Sequence, residues 1–405
     1  MEQLNLFQAV LESYQANAGR LTNEQLYREV ALRANLDDTA MNSLVPIGKS
    51  GTPRNVIKRK LRWWQQSAKQ AGILRHVPGQ RGVWELTEKA GKDLHKILPQ
   101  YSVLAFSTKL GLAILGSCDS VFSRLDIPIS LIVSSPPFPL ANPRNYGNVS
   151  EKEFVDWITR ALEPVIKRLV PGASVCLEIS PNIYMPRSPA RSMYCERLLL
   201  ALHDRLGLEL MDRLVWENTS APPSPVQWAS KRRVQLTATY SFVFWLSNDA
   251  QRVKSDNRRV LQPHTERHAR LIEGGGERRT GSFAGGAYRI RPGSFGNETA
   301  GTIPRNIIRL SHNCADQNTY KRRMRDMGLP PHTAPMPLAL PKFLIELLTE
   351  KEDVVADPFF GSGTTGRAAE SLSRRWVGTE IAVESIRGAS TRFEDAEGFE
   401  QHMLM

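Results

Sequence analysis

Cysteine is scarce in this 405-residue chain: Cys118, Cys176, Cys195 and Cys314 stand far apart, with no CxxC pair. Neither a zinc cage nor a disulfide framework is built that way, so no metal site is expected and a reducing cytoplasm is the expected compartment. Long apolar runs are missing too. No stretch reaches the roughly 18 uninterrupted apolar residues of a membrane span, and the opening MEQLNLFQAV lacks the basic start and apolar core of a signal peptide. Neither export nor a membrane anchor is expected. Acidic residues are in the minority, 41 Asp plus Glu against 53 Lys plus Arg, for a net charge of +12. Such a surface attracts polyanions, and nucleic acid is the first partner to consider. What the chain does have is length for two or three domains and enough apolar residues, 41%, to give each a core.

Residues 1–98 read as a small helical domain closed by a hairpin. Thr52 followed by Pro53 predicts a helix start, a cap and then a first-turn proline. Ile57, Leu61, Trp64, Ala68 and Ala71 then recur at steps of four and three as one apolar stripe, while Arg54, Lys58, Arg59, Arg62 and Lys69 fall mostly elsewhere. Gly72 ends that helix, ILRHV and VWEL alternate like strands around PGQRG, and Thr87 caps a further helix, EKAGKDLHKIL. Helix, two-stranded wing and helix form a winged-helix pattern, and this stretch resembles the N-terminal domains of Mrr-type restriction enzymes. On that resemblance the basic helix contacts DNA, with Arg54, Lys58 and Arg62 as candidates. A dimerisation or packing domain with a solvated basic face is the other reading.

From residue 99 to about 247, strand and helix signals alternate. ISLIV, ASVCLEI and YSFVFWLS read as strands; EKEFVDWITRALEPVIKRLV is an amphipathic helix stopped by Pro171-Gly172, and ERLLLALHDRLG a helix with a glycine stop. That order predicts an α/β sheet. Between about Asn248 and Arg305 the pattern dissolves: residues 249–291 hold ten Lys or Arg against five Asp or Glu, and nine glycines fall between 274 and 301. Such a segment is either a disordered linker or a loop-rich surface ordered by a polyanion, and its place inside an α/β domain with more sheet to follow favours the second. Lys231, Arg232, Arg258 and Arg259 are further candidate DNA contacts.

Two short motifs carry chemistry. In KEDVVADPFFGSGTTGRAAESLSRRWVGTEI, residues 351–381, a strand feeds a glycine-rich turn and a helix, and a second strand ends on Glu380, 23 residues after Asp357. An adenosine ligand is held that way, with backbone near the ligand and a carboxylate on the ribose hydroxyls. Gly361, Gly363 and Gly366 also spell GxGxxG, the signature of a dinucleotide site. Only 24 residues follow Ile381, too few for the remaining strands of a dinucleotide fold, so those strands come from earlier in the chain. The second motif is Ser135-Pro136-Pro137-Phe138, where the apolar run ISLIV ends.

DPFFGSGTT followed by VGTEI resembles the cofactor loop of amino-group DNA methyltransferases, and SSPPF resembles their catalytic [DNS]PP[YFW] tetrapeptide. The order, catalytic tetrapeptide first, resembles the permuted β group of that family. HTAPMP, residues 332–337, is similar to the family's approach to the cofactor loop, although Thr333 stands where proline is usual; Phe138 replaces a commoner tyrosine and Gly116-Ser117 a usual Gly-Asp. The resemblance implies an S-adenosylmethionine-dependent, Rossmann-like sheet over residues 99–405, with a target-recognition region at about 248–325. It implies cofactor contacts from Asp357, Phe359, Gly361, Ser362, Gly363, Thr364 and Glu380. DNA is the implied substrate, and a second copy of the chain and a cognate restriction endonuclease are candidate partners. His332 is expected to be a structural loop residue, and no role is assigned to Trp216 or Trp228.

The tetrapeptide suits that chemistry. An exocyclic amine is a poor nucleophile because its lone pair is delocalised into the ring. Ser135 Oγ and the Pro136 carbonyl, accepting from the two amine hydrogens, would localise it. Prolines fix φ and lack N–H groups, so the acceptors are stiff and not drawn into the sheet. The base must leave the duplex to reach them, and Phe138 can stack on it. By resemblance, serine at the head favours the N4 amine of cytosine over the N6 amine of adenine. Carbon-5 methylation needs a nucleophilic cysteine, and none is near residue 135. A DNA-binding regulator with an inactive methyltransferase fold is the alternative of another class.

Overall fold

A computed structural model describes residues 10, 13–14, 16–17, 19–34, 36–47, 52–70, 74–87, 96–97, 101–140, 149–332 and 335–402. In the N-terminal part, strand β1 (Arg20–Thr22) leads into a helix, Asn23–Arg33, started by a capping box between Thr22 and Gln25. A short helix, Asp38–Asn42, precedes the paired strands β2 (Leu44–Ile47) and β3 (Thr52–Asn55). The helix expected from Thr52 instead begins at Val56 and runs to Gln70. Pro53 tolerates extended backbone as well as a first helical turn, the ladder to β2 engages residues 52–55, and Asn55 Oδ1 caps the helix by accepting from the Lys58 N–H at 2.7 Å. Leu61, Trp64 and Ala68 are buried as their spacing predicts, together with Tyr14, Leu26 and Val30. Strands β4 (Leu74–His76) and β5 (Val83–Leu86) form the hairpin and join β1 in a three-stranded sheet. The helix expected after Thr87 falls mostly outside the described residues.

The rest of the chain builds one ten-stranded mixed sheet. Its strands are β6 (Val103–Ser107), β7 (Gly111–Leu115), β8 (Ile129–Ser134), β9 (Leu169–Ile179), β10 (Glu209–Asn218) and β11 (Tyr240–Ser247), then β14 (Ile307–Leu310), β15 (Val354–Asp357), β16 (Arg375–Glu380) and β17 (Glu400–Gln401). A separate small hairpin, β12 (Gly281–Phe283) and β13 (Tyr288–Ile290), lies between them in sequence. The spatial order is β14-β10-β11-β9-β8-β15-β16-β7-β6-β17. Strands β9, β8, β15, β16 and β7 run parallel to one another, β11 runs antiparallel to β9 and β10 on either side, and β6 antiparallel to β7. The all-buried β8, ISLIVS, is the continuous apolar run a central parallel strand requires.

Helix Glu151–Ile166 buries Phe154, Ile158, Leu162 and Val165 and ends before the expected Pro171-Gly172 stop. That dipeptide sits inside β9, where the β8–β9 register shifts; Gly172 has φ +80°, and a Cβ there would lie 2.1 Å from the Arg252 carbonyl oxygen. Helix Tyr194–Leu206 stops at Gly207 in the left-handed conformation, as its sequence predicts. The two parts of the molecule join where the Ile97 N–H donates to the Ile381 carbonyl at 3.0 Å. No helix among the described residues is long and apolar enough to cross a membrane.

Candidate active site

Strands β8 and β15 lie side by side although 223 residues separate their ends. Ser134 Oγ, the last residue of β8, donates to Asp357 Oδ1, the last of β15, at 2.5 Å. Thr365 Oγ1 donates to the Val133 carbonyl at 3.3 Å, a second tie between the two motifs. Asp357 is buried, and that burial pushes its carboxyl up to about 6 against the opposing bonds from Ser134, Thr365 and the Phe359 N–H.

Past Ser134 the chain leaves the sheet through Ser135-Pro136-Pro137-Phe138. The Ser135 hydroxyl donates to Glu178 Oε2 at 2.7 Å. Glu178 is buried near the end of β9, the next strand over. With its proton given to a carboxylate, the serine oxygen keeps its lone pairs for a donor in front of it.

Past Asp357 the two phenylalanines part. Phe360 turns inward, stacking on Trp376 with centroids 5.5 Å apart, and a Cβ on Gly378 would lie 2.1 Å from its ring. Phe359 turns outward, 5.7 Å from the Trp157 ring. Gly361 and Gly363 are left-handed, at φ +49° and +73°, and Gly363 opens helix Thr364–Ser371. Glu380 Oε2 accepts from the Gly361 N–H and Oε1 from the Ala382 N–H, both at 2.8 Å. Burial raises the Glu380 carboxyl as well, against those two bonds.

A cavity of ≈ 380 Å³ opens between these pieces at the carboxyl ends of β8, β15 and β16. That is the crevice where open α/β sheets bind ligands. Ser135, Pro136, Pro137 and Phe138 all line it, as do Phe359, Gly361 and Glu380; Asp357, Ser362, Gly363 and Thr364 are buried and do not line it. The cavity also takes residues that the sequence reading passed over. Trp157 and Arg160 reach it from helix Glu151–Ile166, and Asp119 from helix Cys118–Phe122. His332, expected in a structural loop, lines it too: a Cβ on Gly361 would lie 3.2 Å from its Nε2. Its approach is set by helix Ala315–Asp326, which buries Tyr320 and Met324 against the helix Val383–Ser390. Glu178 carried a readable signal, a lone acid in the apolar strand VCLEI. Trp157 carried none, because its spacing is that of any core residue.

The candidate DNA contacts scatter. Arg54 and Arg62 are exposed; Arg54 lies on β3, not on the helix, and Lys58 is engaged by Asn42 Oδ1 at 2.6 Å and by the Tyr27 ring. Lys231 and Arg232 are exposed just ahead of β11. Arg258 and Arg259 lie at a different edge. Strand β11 is antiparallel to its neighbours, so the chain leaves it at the amino ends of the parallel strands, the edge opposite Ser135. There Arg259 is committed to the Thr349 and Lys254 carbonyls and to Glu350, and Arg258 grips Asp256 with two nitrogens. The opening of the basic segment after Asn248 thus pins the far edge of the sheet. Among the described residues no cluster of His, Cys, Asp or Glu could hold a metal.

Comparison with known proteins decides the family. Residues 129–391 match the DNA methylase family that acts on N6 and N4 amines. The chain belongs to that family. Residues 5–96 match the Mrr N-terminal domain. The Type II methyltransferase M.PvuII of Proteus hauseri is 35% identical over 292 residues, spanning 72% of this chain and 86% of that protein. M.BamHI of Bacillus amyloliquefaciens is 24% identical over 284 residues, 68% of this chain and 56% of its own length. Among solved structures, PvuII DNA methyltransferase (cytosine-N4-specific) matches with a TM-score of 0.56 at 30% identity, covering 71% of this chain and 87% of that one. The methylase has the α/β fold of S-adenosylmethionine-dependent enzymes, and S-adenosylmethionine is its methyl donor.

The residues present fit that cofactor. The Glu380 carboxylate is oriented by two backbone N–H groups at the cavity wall, the left-handed Gly361 keeps backbone close to whatever fills the space, and Phe359, Trp157 and Ile381 give it apolar sides. Replacing Glu380 by Ala is expected to raise the cofactor dissociation constant at least about tenfold, about 1.4 kcal/mol, measured by titration calorimetry. An unchanged constant removes Glu380 from the site.

Proposed function

We propose that this methylase transfers a methyl group to the N4 amine of cytosine at a specific site in DNA. The observation that carries the reading is the Ser135 hydroxyl, bonded to Glu178 at 2.7 Å at the mouth of the cavity that Glu380 and Gly361 also line. The likeness to a cytosine-N4-specific enzyme supports the choice of base. S-adenosylmethionine, when bound, supplies an electrophilic methyl on a sulfonium. Ser135 Oγ and the Pro136 carbonyl accept the two amine hydrogens and turn the nitrogen lone pair out of the ring plane. The amine gives up a proton as it is methylated; Ser135 can take it while passing its own to Glu178 Oε2. Half-buried Phe138 offers a face for the extruded base to stack on.

The chain order supports membership of the permuted β group: the strand ending in Ser134 comes far before the strand ending in Asp357, yet the sheet sets them side by side. For residues 1–98 we infer a winged helix that adds affinity for DNA, supported by the helices, the β4–β5 hairpin and the exposed Arg54, Arg59 and Arg62. Residues 99–405 then form the catalytic domain, acting in the cytoplasm, with target recognition drawn from residues of the 248–325 region beyond Arg259. A second copy of the chain and a restriction endonuclease of the same site are proposed partners on the family likeness alone.

The test is to incubate the protein with mixed genomic DNA and labelled S-adenosylmethionine, digest to nucleosides and separate them. Label in N4-methylcytosine is expected. Label in N6-methyladenine would overturn the base assignment, and no label on any DNA, with cofactor bound, would leave a DNA-binding regulator instead.

A further inference from the structure

Leu236 is the most exposed of the large apolar residues among those described, at 86%. It does not stand alone. Val234 is 55% exposed, and Met185 and Met193 are also on the surface. A protein that leaves such side chains in water usually has a use for them.

Leu236, Val234 and Met185 belong to two loops pinned to each other. One runs from Asn218 at the end of β10 to Tyr240 at the start of β11 and carries Lys231, Arg232, Arg233, Val234 and Leu236. The other is a small hairpin after β9, closed by the Tyr184–Arg191 bridge, with Met185, Pro186 and Arg187 at its tip. Gln235 Nε2, between Val234 and Leu236, donates to the Pro189 carbonyl of the hairpin at 3.1 Å.

Topology puts both loops at the catalytic edge. Strand β11 is antiparallel to β9, with Phe242 opposite Ile179 and Val243 opposite Glu178, so the residues preceding β11 project past the carboxyl end of β9. Asn182 Nδ2 donates to the Tyr240 carbonyl at 3.4 Å and the Ala238 N–H to the Ser224 carbonyl at 2.7 Å, which fixes the base of the loops. Both loops also hold an arginine in the left-handed region, Arg187 at φ 57° and Arg233 at φ 54°. Strain of that kind persists only where the surroundings enforce it, and it collects at ligand clamps.

An apolar point rimmed by cations, on the same edge of the sheet as a cavity that must receive an extruded base, matches what a duplex presents once opened: phosphates outside, an unstacked gap within. Building on the DNA-methylase reading, we propose that Leu236 is the wedge that enters duplex DNA and fills the gap left by the target nucleotide, while Lys231, Arg232, Arg233 and Arg187 hold the phosphates on either side. The wedge lowers the cost of extrusion on paired DNA. A mismatched target is already loosened and needs less help.

The test compares wild type, Leu236→Ala and Leu236→Met, each bound to S-adenosylmethionine, on two duplexes carrying the enzyme's own site, one fully paired and one with the target base mismatched. Methylation rate is read on both, and extrusion is read as the fluorescence of 2-aminopurine placed next to the target base in a second preparation of each duplex. Because Leu236 packs on little, the substitutions leave the core alone. Leu236→Ala is expected to lose about tenfold or more in kcat/KM and most of the fluorescence rise on paired DNA, to stay within about twofold of wild type on the mismatch, and to be rescued by Leu236→Met. Equal behaviour of Leu236→Ala and wild type on paired DNA overturns the wedge while leaving the methylase reading in place. An equal loss on both duplexes overturns it too, as does sedimentation showing that Leu236→Ala turns a dimer into a monomer with extrusion unchanged, since the patch would then face a second copy. Wild-type protein that modifies neither duplex overturns the methylase reading and the wedge with it.

Discussion

Replacing Ser135 by Ala is expected to lower kcat by about 100-fold or more while leaving the cofactor dissociation constant unchanged. The serine oxygen is one of the two acceptors for the target amine, and deleting one preorganised partner of a developing charge typically costs about 10²–10³ in rate. The deletion also takes from Glu178, a buried carboxylate, the bond it accepts from Ser135 at 2.7 Å. Cofactor binding is spared because the Glu380 to Gly361 contact lies on β16 and the glycine turn, not on β8. Single-turnover rates and calorimetry on the same preparation separate the two quantities. A fall in kcat of less than about twofold would take the hydroxyl out of the chemistry, since the loss of even one neutral hydrogen bond, about 0.5–1.5 kcal/mol, is worth more than that.

Asp357→Asn is expected to stabilise the protein above about pH 6 and to do little near pH 4. The buried Asp357 carboxyl titrates near 6 in the folded protein, raised from 3.8. Between those values the folded chain binds a proton that the unfolded chain has released, so stability falls as pH rises through the window and stays lowered above it. At about 1.4 kcal/mol for each pH unit, the penalty above pH 6 is about 3 kcal/mol at most. Asparagine is uncharged and still offers Oδ1 to Ser134 Oγ and to the Phe359 N–H, so it escapes the penalty. Urea unfolding of both proteins from pH 4 to pH 8 is the measurement: diverging curves are expected, and parallel ones would show that Asp357 is ionised without cost.

Much of the fold was legible because buried strands and amphipathic helices leave periodic signals. ISLIV, YSFVFWLS and the helix from Glu151 fell where their patterns put them. Strand β10 was harder: its sequence, ELMDRLVWEN, is neither a clean alternation nor an apolar run, because most of its residues are only partly buried. The start of helix Val56–Gln70 was misread because Thr-Pro serves an extended strand as well as a helix cap.

The sequence by itself determined the chemistry available to this protein: a serine and proline carbonyls at the end of an apolar strand, a glycine turn with an acid 23 residues after its aspartate, and an excess of positive charge. Short-range geometry dictates those, since proline, glycine and a strand terminus impose their conformations locally. The tertiary structure alone decided which atoms meet. Ser134 touches Asp357 across 223 positions of chain because β8 and β15 are neighbours in the sheet. Of two adjacent phenylalanines, 359 faces the cavity and 360 the core, because Gly378 leaves room for only one ring against β16. Glu178 and His332 come to the site, and Arg258 and Arg259 are carried to the opposite edge, because strand direction sets which end of the sheet a loop occupies, and strand direction is a property of the whole sheet.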